Sequence, residues 1–497
     1  MSAGSLRMIV PPNGCLTQRR IERAYMAGSD QIPWPCRTRL RDGELVLERN
    51  VADSGKFHIP WPVEGHGEVV LCTGTLMERA RPYQLLVELA RGKLNQVRNQ
   101  IADWQTMGLV VSAKVEAALR KALVYLSHAV TLQHDVVKAA EQAEKAIVSA
   151  LDVADLLVGA YAEQAMTVRR RQSSKVGILL GSCLGNEPID PTLVGWYVKA
   201  FNAALVPFAW RAVETVEGAH QWSASDRQLA WCREHDLTVC GGPLVRPDRE
   251  GLPDWLYLWE GDFNNIQSFV SDYVESVVTR YHGQVQAWQC AARMNVNDAL
   301  SLTENQRLRL ARRGFEITHD IDPNTPLIMR IDQPWAEYMS HTAPDLSPLH
   351  FADELVRTGA QLSGIALEIN MGYEPGGSFF RDRLELSRLL DLWSCLCLPL
   401  HLIVSVPSHE QATPSPRGRP TPLAGTFPGG WSPENQAAWI RNYLPVIFAK
   451  PAVEGVFWNQ LRDVEGCEFP HGGLVDASGA VKPSLPALAS LRKKFLD

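Results

Sequence analysis

The stretch "NNIQSFVSDYVESVVTRY" (264–281), followed after "HGQ" by "VQAWQCA" (285–291), decides the fold. Its first part is compatible with a helix, and its second is a short apolar run of strand type. The same alternation fills the chain from residue 176 to the end. Strand-like runs recur at "KVGILLG" (175–181), "ALVPFAW" (204–210), "LTVCGGPLV" (237–245) and "PLIMRID" (326–332). They continue at "SGIALEINM" (363–371), "PLHLIVSV" (399–406) and "VEGVFWN" (453–459), with helix-compatible stretches such as "LTENQRLRLARRGFEITHD" (302–320) between them. Eight β units over about 320 residues predict an α/β fold, a (β/α)8 TIM barrel across 173–497. In such a barrel, polar residues at the C-terminal strand ends are the candidates for chemistry.

Working outward, the basic joint "VRRRQSSK" (168–175) separates the barrel from a different pattern. Residues 77–172 carry apolar positions at spacings of three and four, as in Leu86, Ala90, Leu94 and Val97, or Ala143, Ile147, Leu151 and Ala154. Three amphipathic helices follow, with a structural or self-associating role. Residues 1–76 read as a small β-rich module, since "RDGELVLER" (41–49) alternates Leu45 and Leu47 with Glu44, Val46 and Glu48. Trp34 and Trp61 are candidate sugar platforms there, against the alternative of a sheet that docks the helices.

Composition narrows the function classes. The 497 residues contain 49 Lys plus Arg and 55 Asp plus Glu, a net charge of −6, which argues against nucleic acid or an anionic membrane as main partner. No window is apolar for long enough to predict a membrane span. The opening "MSAGSLRMIVPPNGC" (1–15) lacks a basic start followed by a long apolar run, so a cytoplasmic location is expected. The 10 cysteines are scattered in mostly apolar contexts and read as buried free thiols, with no metal or cofactor implied.

Several segments together resemble the catalytic barrel of glycoside hydrolase family 10, the endo-xylanase family. They are "FNAALVPFAW" with "ETVEG" (201–218), "LTVCGGPLVRPDREGLPDWL" (237–256), "VVTRYHGQVQAWQCA" (277–291), "ITHDIDPNTPLIMRID" (317–332), and "GVFWNQLRD" with "HGGLVDASGAVKP" (455–483). The resemblance covers about two thirds of the chain and implies a TIM barrel acting on β-linked glycans. It also implies a retaining mechanism, which needs a protonated carboxyl and an ionised carboxylate roughly 5–5.5 Å apart.

The departures bear on that chemistry. The family closes its fourth strand with W-D-x-x-N-E, and the corresponding span here runs from Trp288 to Arg293, so the resemblance puts Arg293 at the acid/base position. A guanidinium stays charged and cannot act as the proton donor. At the nucleophile position of strand seven the resemblance puts Val404, within "LIVSV" (402–406). The supporting histidine positions read Gly242 and Asn370, and a Trp-His pair reads Arg246-Pro247.

Other carboxylates are candidate replacements. Glu368 and Asn370 share a strand face by the two-residue period. Glu368 is either a relocated base or nucleophile, or a structural acid paired with Arg330 or Arg293. Asp332 matches the family's strand-five Asp, a supporting position. Asp248, Glu250 and Asp463 follow strands, and His409 and Glu410 open a long Pro-rich loop (407–431) that could serve as a lid. Trp210, Trp255, Trp288, Trp335, Trp431 and Trp458 are predicted near strand ends, where a sugar would stack. Trp210, Arg246, Trp255, Trp288, Arg293, Asn370, Trp431 and Trp458 are therefore the candidate substrate-binding residues. Three readings result: a barrel that binds a glycan or oligosaccharide without the standard hydrolysis, an active hydrolase with a rewired carboxylate site, and a non-catalytic structural or interaction protein.

Overall fold

The structure is a computed structural model that describes residues 4–11, 15–172, 176–296, 299–342, 344, 346–410, 424–464 and 467–497. Eight short strands come first: β1 (Gly4–Ile9), β2 (Tyr25–Ala27), β3 (Pro33–Trp34), β4 (Cys36–Arg41), β5 (Glu44–Arg49), β6 (Gly55–Val63), β7 (Gly67–Leu76) and β8 (Tyr83–Gln84). They form two sheets, ordered β4-β5-β1-β8 and β3-β2-β6-β7. The hairpin β4–β5 turns on Asp42 and Gly43, both at positive φ (50° and 77°), which matches strand twist in a two-residue loop. Its alternation buries Leu45 and Leu47 on one face, as the sequence pattern requires.

A short helix, α1 (Gln18–Glu22), lies between β1 and β2. Three long helices follow the strands: α2 (Leu85–Thr106), α3 (Ala113–Thr131) and the 37-residue α4 (Val136–Gln172). Gly92 lets α2 lie directly against β7, because a Cβ there would stand 2.0 Å from the Cys72 carbonyl oxygen. Helix α4 presents a run of small buried residues, among them Ala139, Ala143, Ala146 and Ala150, so neighbouring backbones pack close to it.

The sheets and helices are joined to the barrel side rather than standing apart from it. The buried Lys93 ammonium lies 2.7 Å from Asp382, Arg383 bonds Asp155 at 2.8 Å, and Arg169 donates to the Phe448 carbonyl at 2.7 Å. Lys450 sits over the rings of Trp104 and Tyr161. The sheets also touch the barrel side directly, since Arg381 donates to the hydroxyl of Tyr25 on β2 at 2.7 Å. Trp61 is buried and Trp34 is half-buried beside Arg49, so neither forms an open sugar platform.

The remaining strands are β9 (Leu179–Ser182), β10 (Ala203–Val206), β11 (Thr238–Gly241), β12 (Ala287–Ala292), β13 (Leu327–Asp332), β14 (Gly364–Asn370), β15 (Leu400–Ser405) and β16 (Val453–Trp458). All pair in parallel in the order β10-β11-β12-β13-β14-β15-β16-β9. A bridge between Cys183 and Leu205 brings the first strand back beside the second, and the fold is a TIM barrel. Ala203, Leu205, Cys240, Ala366, Ile403 and Phe457 form a small apolar cluster inside it. Their immediate neighbours in sequence, such as Leu367, Val404 and Trp458, join the large cluster between strands and helices.

Among the described residues no helix is long and apolar enough to cross a membrane. All ten cysteines are free thiols; Cys72, Cys232, Cys240 and Cys290 are buried, whereas Cys395 and Cys397 are exposed, against the expectation of burial.

Candidate functional site

Strand alternation decides which side chains reach the C-terminal mouth of the barrel. On β13 it sends Arg330 and Asp332 inward, and on β14 it sends Glu368 and Asn370 inward, above Ile328 and Ala366 of the inner cluster. Strand β12 contains a register shift between Gln289 and Ala291, and its chain then turns at Arg293, which has φ +57°. The Arg293 N–H donates to the Arg330 carbonyl at 3.0 Å, and its side chain folds into the mouth.

Arg293 lies among four carboxylates. Its Nε is 3.1 Å from Glu368 Oε2, its Nη1 is 3.1 Å from Asp248 Oδ2, and Nη1 also donates to Glu468. The Asp332 Oδ2 stands 3.9 Å from the same Nε. Two further arginines complete the network. Arg330 Nε donates to Glu368 at 2.8 Å, and Arg246 donates to Asp248 at 2.5 Å and to Glu468 at 2.8 Å. Asn370 Nδ2 donates to Glu368 Oε1 at 2.9 Å, and Asn459, which follows β16, donates to Asn370 at 2.8 Å.

These environments push the carboxyls apart. Burial alone would raise Glu368, but the charges of Arg293 and Arg330 outweigh it and hold this carboxyl well below the usual range. Burial likewise opposes ionisation of Asp248, and Arg246 and Arg293 bring it below its ordinary value. Asp332 goes the other way. Burial pushes its carboxyl up to about 7, Arg293 pulls against that, and the charge of Glu368 adds to the rise. Asp332 Oδ1 is buried and takes no hydrogen bond among the described residues, while Oδ2 accepts from Gln333 at 3.2 Å. Since Asp332 Oδ2 and Glu368 Oε2 share one guanidinium nitrogen at 3.9 and 3.1 Å, they are at most about 7 Å apart.

Two hollows flank the network. The larger, about 680 Å³, is lined by Arg293, Asn295, Asp332, Tyr338, Arg307 and Glu468 among others. The smaller, about 160 Å³, is lined by Trp210, Arg246, Glu250, Arg330, Asn459 and Glu468 among others.

Several sequence expectations are corrected by side-chain direction. Val404 does not point into the mouth: Ile403 faces inward, Val404 packs outward against the helices, and Ser405 is the inward residue at that strand end. Trp288 also faces outward, buried, with its indole N–H on Asp322 at 3.0 Å. Trp458 packs edge-on against Trp439 and donates to the Gly472 carbonyl, and Trp431 packs on Phe380 and Phe427 and donates to the Gly425 carbonyl. None of these three offers a free ring face to a sugar. Trp335 is half-buried and lies against Arg381. Trp210 is stacked on Tyr273 and bonded to Glu214, with an edge at the smaller hollow, and half-buried Trp255 packs edge-on against it.

Of the loop acids, Asp463 is tied to Lys482 and to the Gly473 N–H, which it accepts at 2.7 Å. Glu410 accepts from the Trp431 N–H at 3.3 Å. His409 lies beside His471, and residues 411–423 of the expected lid fall outside the described residues. Sequence reasoning missed Glu468, Asn295 and Asn459. Asn459 could have been found as the polar residue closing "VFWN" (456–459). Asn295 brackets Asp332 with bonds to its carbonyl (2.8 Å) and from its N–H (3.1 Å). Glu468 lies on a loop with no periodic signal.

Residues 197–312, which span β10 to β12 and the helices around them, match the family model described as Glycosyl hydrolase family 10. A curated β-1,4-xylanase of Dictyoglomus thermophilum is 26% identical over 143 residues, covering 26% of this chain and 38% of the relative, so the chain spans well under half of that relative's length. Among solved structures, xylanase 10B of Thermotoga petrophila in complex with xylobiose is 16% identical, with 66% of this chain and 98% of that one covered and a TM-score of 0.48. The native xylanase 10B of Thermotoga maritima gives 16%, 65%, 98% and 0.47. The barrel of this chain is thus similar to glycosyl hydrolase family 10 over residues 197–312.

Proposed function

We propose that the barrel binds β-linked glycans or oligosaccharides at its C-terminal mouth without performing retaining hydrolysis. The observation that carries this reading is the state of Glu368. Both of its oxygens are taken by Arg293, Arg330 and Asn370, and its side chain is 0% exposed. A nucleophile must offer a lone pair to the anomeric carbon, and a proton donor must hold a proton at working pH. Glu368 is sealed and ionised, so it meets neither condition. Arg293 can stabilise charge and hydrogen-bond a ligand but cannot donate the proton. The carbohydrate relationship is supported by the family match and the curated relative. The test is titration of xylo-oligosaccharides followed by tryptophan fluorescence, with an aryl β-xyloside hydrolysis assay on the same sample. Saturable binding with no product supports the reading, and no response at millimolar sugar refutes it.

One observation favours a second reading, a rewired hydrolase. Burial pushes the Asp332 carboxyl up to about 7, and it stands at most about 7 Å from Glu368, a limit that includes the roughly 5–5.5 Å of retaining glycosidase pairs. On that reading Asp332 is the proton donor, and Asp332→Asn abolishes aryl xyloside hydrolysis that the unaltered protein shows.

A further inference from the structure

Glu468 differs from the other three carboxylates around Arg293. The side chains of Asp248, Asp332 and Glu368 are 6%, 3% and 0% exposed, whereas that of Glu468 is 33% exposed. Its two oxygens bridge two guanidinium groups, Oε1 on Arg293 and Oε2 on Arg246 at 2.8 Å. It also lines both hollows, the one of about 680 Å³ and the one of about 160 Å³.

We propose that the mouth takes a carboxylate-bearing sugar, a uronic acid unit, whose carboxylate replaces that of Glu468 across Arg246 and Arg293. The inference rests on the glycan-binding reading and names the class of glycan. The two guanidiniums stay fixed when Glu468 leaves, because Asp248 holds both and Glu368 holds Arg293. A preset pair of forks favours a planar carboxylate in the bridging position. A sugar ring attached to that carboxylate extends into the larger hollow. There, Asp332 is among the lining residues, and its buried Oδ1 has no hydrogen-bond partner among the described residues. It is a ready partner for a ring hydroxyl. A neutral sugar that displaced Glu468 would leave two guanidiniums short of an anion, which charge-assisted bonding penalises strongly. The site therefore discriminates by the missing charge rather than by size.

The test is isothermal titration of the whole protein with cellobiouronic acid and with cellobiose, which differ in the carboxylate. The unaltered protein is expected to bind the acid about tenfold tighter or more. Glu468→Gln removes the competing charge and is expected to tighten the acid about tenfold further. Arg246→Ala is expected to erase the preference. Equal affinity for the two sugars in the unaltered protein overturns the inference and leaves the glycan-binding reading standing. Failure of both sugars to bind at millimolar concentration overturns the inference, and titration of xylo-oligosaccharides then decides the glycan-binding reading. Sodium acetate that displaces the acid at equal concentration overturns the sugar-acid site in favour of a simple anion hole. The comparison in the unaltered protein decides the question even if a variant fails to fold.

Discussion

Asp332→Asn tests the electrostatics of the mouth through stability. The side chain is buried, and its carboxyl is pushed up to about 7 from an unfolded value of 3.8, mainly by burial. A folded-state value above the unfolded one means that the native protein holds this proton more tightly. The group's contribution to stability is then fully present below pH 3.8 and is lost as pH rises through 7. The loss runs at about 1.4 kcal/mol per pH unit and totals about 4 kcal/mol above neutrality. Asparagine keeps the shape and has no proton to lose, so the variant escapes the loss. The lowered Glu368 works in the opposite sense, since its stability is present above its unfolded value and lost on acidification, but it is common to both proteins and cancels. Urea unfolding at pH 5, 6, 7 and 8 should show the variant's advantage growing by about 1.4 kcal/mol per unit up to pH 7 and levelling off above it. A difference between the two proteins that does not change with pH would refute the reasoning.

Arg293→Ala should destabilise the protein by about 3–5 kcal/mol in urea unfolding, because it leaves the buried Glu368 and Asp248 with one arginine each, and Arg293→Lys should recover only part of this. Trp288→Phe should lower stability by about 1–3 kcal/mol through the lost bond to Asp322, yet leave oligosaccharide affinity unchanged in calorimetry, since the ring faces the helices. Residues 176–497 expressed alone should aggregate in size-exclusion chromatography, because removing α2 and α4 bares the apolar and charged surface around Lys450, Asp382 and Arg383.

The barrel was legible because its strands are short apolar runs separated by helical stretches, and those two periods do not mimic one another. The two-residue period puts Glu368 and Asn370 on one face, and of the two roles the sequence leaves open for Glu368, the pairing with Arg330 and Arg293 is the one present. The errors at Trp288, Trp458 and Val404 share one cause. A motif match fixes a residue's position along a strand but not its face, and a one-residue slip reverses the direction of the side chain. Glu468 was invisible because it arrives from a loop 100 residues after Glu368, and its meeting with Arg246 and Arg293 is a matter of tertiary packing alone. The docking of residues 4–172 on the barrel was equally hidden, since single buried pairs such as Lys93 with Asp382 leave no periodic trace.

Binding of a glycan at the barrel mouth without its cleavage, as proposed above, is open to one direct measurement. Native mass spectrometry of the protein after long incubation with xylohexaose reads both halves at once. The predicted result is a saturable complex with intact xylohexaose and no shorter sugar. Appearance of xylobiose and xylotriose from the unaltered protein, and their absence with Asp332→Asn, would contradict it.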